Sequence, residues 1–259
     1  MHKNICFNQK FTRADESAIS AVSSAALYGK GIFTTIAVAD GKPLLWEKHW
    51  RRLIDNAAKL KIDLSKFTEE TIQNSLLLLI EKNNFTDGRA RITFFDESAS
   101  KIWNFETARQ TGFLITTADL REVKENLRVG VSPYLINSTS PLANVKSCNY
   151  LENVIAFEEA NGRNFDEAIR LNERGEIVSV CMANIFWQKD GKLFTPSLKT
   201  GCLAGTMRES LLEKYKVAEV EEKLKILESA DAIFLTSSGI GIVQIAEFNN
   251  RIFERKFEF

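Results

Sequence analysis

The sequence predicts an α+β chain of two domains, and three observations point there. Its 259 residues are 44% hydrophobic and 26% charged, enough apolar material for a core in one large or two medium domains. Strand-like runs and helical periodicities alternate along the first half. A polar stretch near the middle separates that half from a second, β-rich half that carries its own helices.

"GIFTTIAVADGKPLLW" reads as a hairpin, because β-prone runs flank an Asp40-Gly41 turn. "EKHWRRLIDNAAKLKI" follows with Trp50, Leu53, Ile54, Ala57 and Leu60 at helical spacing, and "TEETIQNSLLLLIEKNN" repeats the pattern after an acidic first turn. "RARITFF" and "TGFLITTA" read as two more strands of the same sheet, which closes a first α/β domain at residues 1–118. Within "DLREVKENLRVGVSPYLINSTSPLAN" a connection is expected over residues 119–126, with the second domain over 127–259. That domain contains a helix from about 150 to 161, then the strand pair of "GEIVSVCMANIFWQKDGKLFTP" turned at Asp190-Gly191. The glycine-bearing loop and helix of "GCLAGTMRESLLEKY" and the strand-rich "ADAIFLTSSGIGIVQIAEF" complete it.

Charge and apolar run length exclude several function classes. Lys plus Arg and Asp plus Glu are 34 each, and no basic block is interleaved with aromatics, which argues against nucleic acid and anionic membrane as partners. The longest strongly apolar run, "LLLLI" at 76–80, is far short of the ~20 residues of a membrane span. The start "MHKNICFNQKF" lacks a signal-peptide apolar core, so a cytoplasmic location is expected. Cys6, Cys148, Cys181 and Cys202 lie far apart, and with only His2 and His49 there is no metal site to build. Buried free thiols are expected.

Two loops have a composition that suits phosphate. In "GCLAGTMRE", Gly201 and Gly205 allow close backbone approach, Thr206 is placed to cap the next helix, and that helix's N-terminal N–H groups favour an anion. In "FLTSSGIG", an apolar strand ends in small hydroxyl residues and two glycines, a composition that forms anion-binding nests. Lys146, in "NVKSCNYLENVIAFEEA", has no acidic residue closer in sequence than Glu152. A lysine that forms a Schiff base must be neutral part of the time, which nearby carboxylates oppose.

"ALYGKGIFTTIAVADGKPLLWEKHWRRLIDNAAKLKI", "VKSCNYLENVIAFEEANGRNFDEAIRLN" and "CMANIFWQKDGKLFTPSLKTGCLAGTMRE" together resemble, in order and over about 230 residues, the class IV aminotransferases. These are the fold-type IV pyridoxal-phosphate enzymes. The resemblance implies a two-domain α+β fold like that of D-amino acid aminotransferase, a homodimer, a small amino acid-like substrate, and pyridoxal 5'-phosphate held as a Schiff base on Lys146. Arg52 matches the family's phosphate-binding arginine, a sound bidentate pairing, and Arg51 is then the solvated neighbour. Leu203 matches the residue packed on the cofactor ring. The N–H groups of Thr206 and Met207, with Ser237 and Ser238, match the remaining phosphate contacts. Tyr28, Phe33 and Thr34 match residues on the substrate side, and no metal is implied.

Within the family, "KSCNY" has the shorter lysine-to-Asn-Tyr spacing of D-amino acid aminotransferases and aminodeoxychorismate lyases, not that of branched-chain enzymes. Thr34 stands where the family's transaminases usually place glutamate, and "CMANIFW" resembles the lyase version of its motif. The lean is to aminodeoxychorismate lyase, which releases pyruvate and 4-aminobenzoate for folate biosynthesis. The alternatives are a D-amino acid or branched-chain aminotransferase, and a cofactor-binding protein with weakened or lost catalysis. Two departures stand out: "FFDESASKIWNF", with Asp96 and Glu97, replaces an Arg-Gly loop tied to substrate carboxylate recognition. Ser179 stands where the family has the glutamate that holds the pyridinium proton, and Glu176, three residues away along a strand, points to the other face.

Overall fold

The computed structural model describes residues 1–99, 110–124 and 126–254. The tail of "FFDESASKIWNF" from residue 100, and residue 125 of the expected connection, lie outside the described residues. The chain divides into two compact units: Met1–Arg121 with Val145–Asn149, and Glu122–Asn144 with Tyr150–Phe259.

The first unit is built on one six-stranded sheet. Its strands are β1 (Asn4–Phe7), β2 (Lys10–Arg13), β3 (Gly31–Ala39), β4 (Lys42–Pro43), β5 (Gly88–Asp96) and β6 (Thr111–Ala118), in the order β2-β1-β6-β5-β3-β4. The β3–β4 hairpin turns at Asp40 (φ 50°) and Gly41 (φ 71°), the pair of left-handed residues that a two-residue hairpin loop with native twist requires. A short helix α1 (Ser24–Tyr28) precedes β3. The longer helices α2 (Trp46–Leu60) and α3 (Glu69–Lys82) pack on the sheet, burying Trp46, Leu53, Ala57, Ile72, Leu76 and Leu79 with Ile32, Ile36, Ile92 and Phe94. The face α2 buries is rotated from the expected one. It carries His49 and Asn56, while Ile54 is 41% exposed. Helix α3 starts where the acidic first turn suggested, with the Thr68 hydroxyl accepting from Thr71 N–H.

Residues Val145–Asn149 belong to this unit because of an edge that the hairpin leaves open. β4 reaches only Val38 and Ala39 of β3, so the groups of Gly31–Phe33 on that side need other partners. Phe33 N–H donates to Lys146 O at 2.9 Å, and Cys148 N–H donates to Gly31 O at 2.8 Å. The lysine segment, expected with the second domain on sequence order, is thereby tied to β3.

The second unit has two five-stranded sheets. One is ordered β12 (Val217–Val220), β11 (Lys192–Pro196), β10 (Asn184–Lys189), β13 (Ala232–Ser237), β14 (Gly241–Gln244). The other is ordered β16 (Arg251–Ile252), β15 (Glu247–Phe248), β7 (Arg128–Val131), β8 (Glu167–Leu171), β9 (Ile177–Val180). The β10–β11 turn falls at Asp190 (φ 50°) and Gly191 (φ 70°). Ile169, Val180, Ile185, Trp187, Ile233 and Leu235 lie in its main core. Helix α4 (Leu151–Gly162) sets Ala156 and Ala160 against Ala168 and Cys181, small residues that allow close approach to β8. Helix α5 (Thr206–Lys214) follows the glycine loop.

Cys6, Cys181 and Cys202 are buried and free, whereas Cys148 is partly exposed. Among the described residues, no group of His, Cys, Asp and Glu is arranged to hold a metal, and no helix is long and apolar enough to cross a membrane.

Candidate functional site

In the first unit the sheet sorts its side chains by strand alternation. Thr34 points with Ile32 and Ile36 into the core under α2, and is wholly buried. Phe33 takes the other face, where its ring carries Arg91 Cζ at 3.7 Å and Lys146 Nζ at 4.5 Å from the centroid. Arg91, opposite Thr35 in β5, also donates from Nε to Thr93 Oγ1 at 3.2 Å.

Burial first, and then the cations Arg52 and Arg91, bring the Lys146 ammonium down from 10.5 to about 7. The amine is therefore a usable nucleophile and base near neutral pH. On the α2 side, Arg52 Nη2 donates to Thr34 Oγ1 at 2.7 Å, and His49 Nδ1 lies 2.6 Å from the same oxygen. Burial, Arg52 and Lys146 hold His49 at about 3, so its ring is neutral at pH 7. With three basic groups clustered, a neutral imidazole and a half-neutral lysine limit the charge that must be desolvated.

Thr34, expected on the substrate side, is thus a core residue whose hydroxyl serves Arg52 and His49. Arg52 lies beside Lys146, and Arg51, next to it, is exposed on α2. Tyr28 ends α1, partly buried. Burial raises the Asp96 carboxyl, but Lys30 Nζ at 2.7 Å and Ser98 N–H at 2.9 Å outweigh it and hold it below the usual range.

In the second unit, the loop before α5 and the end of β13 meet. Thr206 Oγ1 and Ser238 Oγ are 2.9 Å apart. Thr206 is the first helical residue, with Gly205 as N-cap, so its side chain bonds Ser238 where the sequence suggested a cap. Gly205 is dictated by space: a Cβ there would meet Asn184 Oδ1 at 2.0 Å. Asn184 in turn donates from Nδ2 to Leu203 O at 2.9 Å, fixing the loop that carries Leu203. Met207 is in the first turn of α5, and Ser237 closes β13 opposite Gly241. Ser179 lies in β9, paired with Arg170 of β8. Glu176 is committed elsewhere, its Oε2 accepting from Arg174 Nη2 at 2.7 Å and Asn172 Nδ2 at 2.8 Å.

Residues 31–248 match the family model described as amino-transferase class IV. The chain belongs to that family. A Methanocaldococcus jannaschii protein provisionally named a branched-chain-amino-acid aminotransferase is 30% identical over 266 residues, covering 97% of this chain and 90% of that one. Aminodeoxychorismate lyase of Bacillus subtilis is 27% identical over 248 residues, covering 92% and 84%. Among solved structures, a T.th. branched-chain amino acid aminotransferase complexed with N-(5'-phosphopyridoxyl)-L-glutamate superposes with a TM-score of 0.89 at 20% identity, covering 98% and 88%. Class IV membership brings with it the fold-type IV architecture expected from the motifs.

Of the residues carried over from class IV motifs, Lys146, Arg52, Phe33 and Thr34 cluster in the first unit, and Thr206 with Ser238 in the second. Three residues escaped the sequence reading. His49 is one of only two histidines and sits three residues before Arg52, a single helical turn away. Arg91 and Arg170 are each a charge set inside an apolar strand run, "RARITFF" and "EAIRL", a pattern that asks for a reason.

Proposed function

We propose that this class IV chain binds pyridoxal 5'-phosphate on Lys146 and acts as an aminodeoxychorismate lyase, eliminating pyruvate and leaving 4-aminobenzoate. The observation that carries the reading is Lys146 itself, an amine brought to about 7 by burial between Arg52 and Arg91. The donor set fits the cofactor: a neutral amine for an aldehyde, a guanidinium and two hydroxyls for a phosphate, and the first N–H groups of α5 for an anion. When bound, the cofactor supplies an electrophilic carbonyl and a conjugated ring that accepts the electron pair of a breaking bond.

The chain's own residues do the rest. Arg52 would hold the phosphate through its guanidinium, the N–H groups of Thr206 and Met207 and the hydroxyls of Ser237 and Ser238 would supply the remaining donors, and Leu203 would face the ring. Lys146 Nζ, half neutral near pH 7, takes the proton released from the substrate and returns it to the departing three-carbon fragment. Phe33 shields that amine from water, which keeps its basicity low. Arg91 is exposed, stacked and aimed along the Lys146 face, and is suited to a substrate carboxylate. It takes over the role left open by Asp96, which is locked to Lys30. Tyr28 borders the substrate.

The lyase reading over transamination rests on "CMANIFW", on Thr34 where the family's transaminases usually place glutamate and on the Bacillus subtilis relative, while the "KSCNY" spacing disfavours only the branched-chain enzymes. The aminotransferase reading draws on the 30% identity to the Methanocaldococcus jannaschii protein. A cofactor-binding protein of weakened catalysis draws on Ser179. Turnover of aminodeoxychorismate against D-alanine and branched-chain amino acids separates the three. Borohydride reduction followed by peptide mapping should find the pyridoxyl group on Lys146, and a label on another lysine sinks the assignment. The chain is proposed to act as a cytoplasmic homodimer whose two domains, 1–118 and 127–259, are joined by a linker over residues 119–126, and a strict monomer of full activity in sedimentation would contradict the dimer.

A further inference from the structure

The deepest anomaly in the second unit is a buried guanidinium opposite Ser179. β8 and β9 are antiparallel, and Arg170 is the register partner of Ser179. Directly opposed residues of such a pair share a face, their Cβ atoms about 4.5–5.5 Å apart. The Arg170 side chain is 1% exposed, and arginine cannot shed its proton in a protein.

Its compensation is thin. Nη2 donates to Leu135 O at 3.3 Å, and Nη1 reaches Asn153 Oδ1 at 3.5 Å. The Glu152 carboxylate stands 3.9 Å off and is itself 81% exposed. Nε is buried with no hydrogen-bond partner among the described residues. Other groups nearby do not neutralise the charge. Burial and Glu167 push the Cys181 thiol up to about 12, so it stays uncharged. Glu167 lies three residues back along β8, on the opposite alternation, and accepts from Met182 N–H at 3.3 Å. Tyr150 also acts on Arg170, and carries a phenol rather than a carboxylate. A buried orphan donor is rare enough to call for an explanation.

We propose that Arg170, acting with Ser179, keeps the ring nitrogen of bound pyridoxal phosphate unprotonated. The proposal rests on the reading above, in which Ser179 occupies the position facing that nitrogen. A carboxylate there favours the pyridinium, whereas a buried cation disfavours it and leaves the lone pair to accept from the serine hydroxyl or the guanidinium. Arg170 is a positioning residue that acts through the field at Ser179. An unprotonated ring withdraws electrons less, which suits a substrate whose own ring gains aromaticity as the bond breaks over an ordinary amino acid.

The register makes a sharp demand on mutants. Ser179→Glu alone should not protonate the ring, because Arg170 would neutralise the new carboxylate across the strand pair. The double variant Arg170→Met/Ser179→Glu should. The experiment loads wild type, the single variant and the double variant with nitrogen-15 pyridoxal phosphate and reads the ring nitrogen by NMR between pH 6 and 9. Attachment to Lys146 is verified separately by reduction and mapping. Arg170→Gln, which keeps donors for Leu135 and Asn153, replaces methionine if that variant does not fold, and Arg170→Lys/Ser179→Glu should read as wild type. An unprotonated nitrogen in wild type and Ser179→Glu, with a protonated one in the double variant, is expected. A protonated nitrogen in wild type or in Ser179→Glu, or an unprotonated one in the double variant, overturns the role of Arg170 while leaving cofactor binding intact. Absence of label on Lys146 instead overturns the functional reading beneath it.

Discussion

The half-neutral lysine predicts how fast the protein takes up an aldehyde, and removing Arg52 tests the cause. Lys146 is brought from 10.5 to about 7, a difference of roughly 3.5 pH units, so about half of it is neutral at pH 7, against roughly one part in 3000 for an ordinary lysine. Burial is the larger cause and the two arginines add to it, so Arg52→Met should raise the midpoint without restoring 10.5. A neighbouring charge of this kind moves a midpoint by about 1 to 3 units. Taking about 1, the neutral fraction at pH 6 falls from about one in ten to about one in a hundred. Schiff-base formation at that pH should slow about tenfold, and the two proteins should converge above pH 9. Pyridoxal, which lacks the phosphate, is the right probe, because Arg52 then acts only through its charge. The rate of absorbance change is followed between pH 5.5 and 9.5. A wild-type midpoint near 10, or an Arg52→Met profile that overlays the wild type, would refute the electrostatic reasoning.

Other consequences are open to simpler measurements. With the phosphorylated cofactor, Arg52→Ala should weaken binding by about 2 kcal/mol through loss of a charge-assisted contact, and Arg51→Ala should not; equal effects would mean the wrong arginine is assigned. Because the folded-state pKa of Lys146 lies below its unfolded value, the cofactor-free protein carries the full cost of burying the charged ammonium below about pH 7. That cost fades as pH rises toward 10.5, so stability from this group increases across that window. Lys146→Met should flatten the rise and stabilise the cofactor-free protein at pH 7 by on the order of a few kcal/mol in denaturant unfolding. Gly205→Ala would set a Cβ against Asn184 Oδ1 at 2.0 Å. It should cost about 1–3 kcal/mol and weaken cofactor affinity, and an unchanged denaturation midpoint would show that the loop yields freely.

Local features of this chain were legible before any coordinates. Both hairpin turns are short-range events, decided by Asp-Gly pairs that reach positive φ cheaply, and helices α2, α3, α4 and α5 each declare themselves within one periodic window. Lys146 and the two phosphate-compatible loops stood out through long motifs, whose order along the chain is itself sequence information. Burial and register were a different matter. Thr34 reads as a substrate-side motif residue until alternation along β3 turns it under α2, where its hydroxyl serves Arg52 and His49. The basicity of Lys146 is set by burial and by arginines 94 and 55 residues away in sequence, Arg52 and Arg91, which only the fold gathers. Arg170 and Ser179 are separated by a turn and a bulge, and their opposition depends on where the β8–β9 register shifts. Periodicity senses the face of one element, whereas a pKa or an orphaned donor depends on what several elements bring to one point in space. The amino-acid sequence by itself determined the elements, the family and the lysine; only the tertiary structure decided which charges surround it.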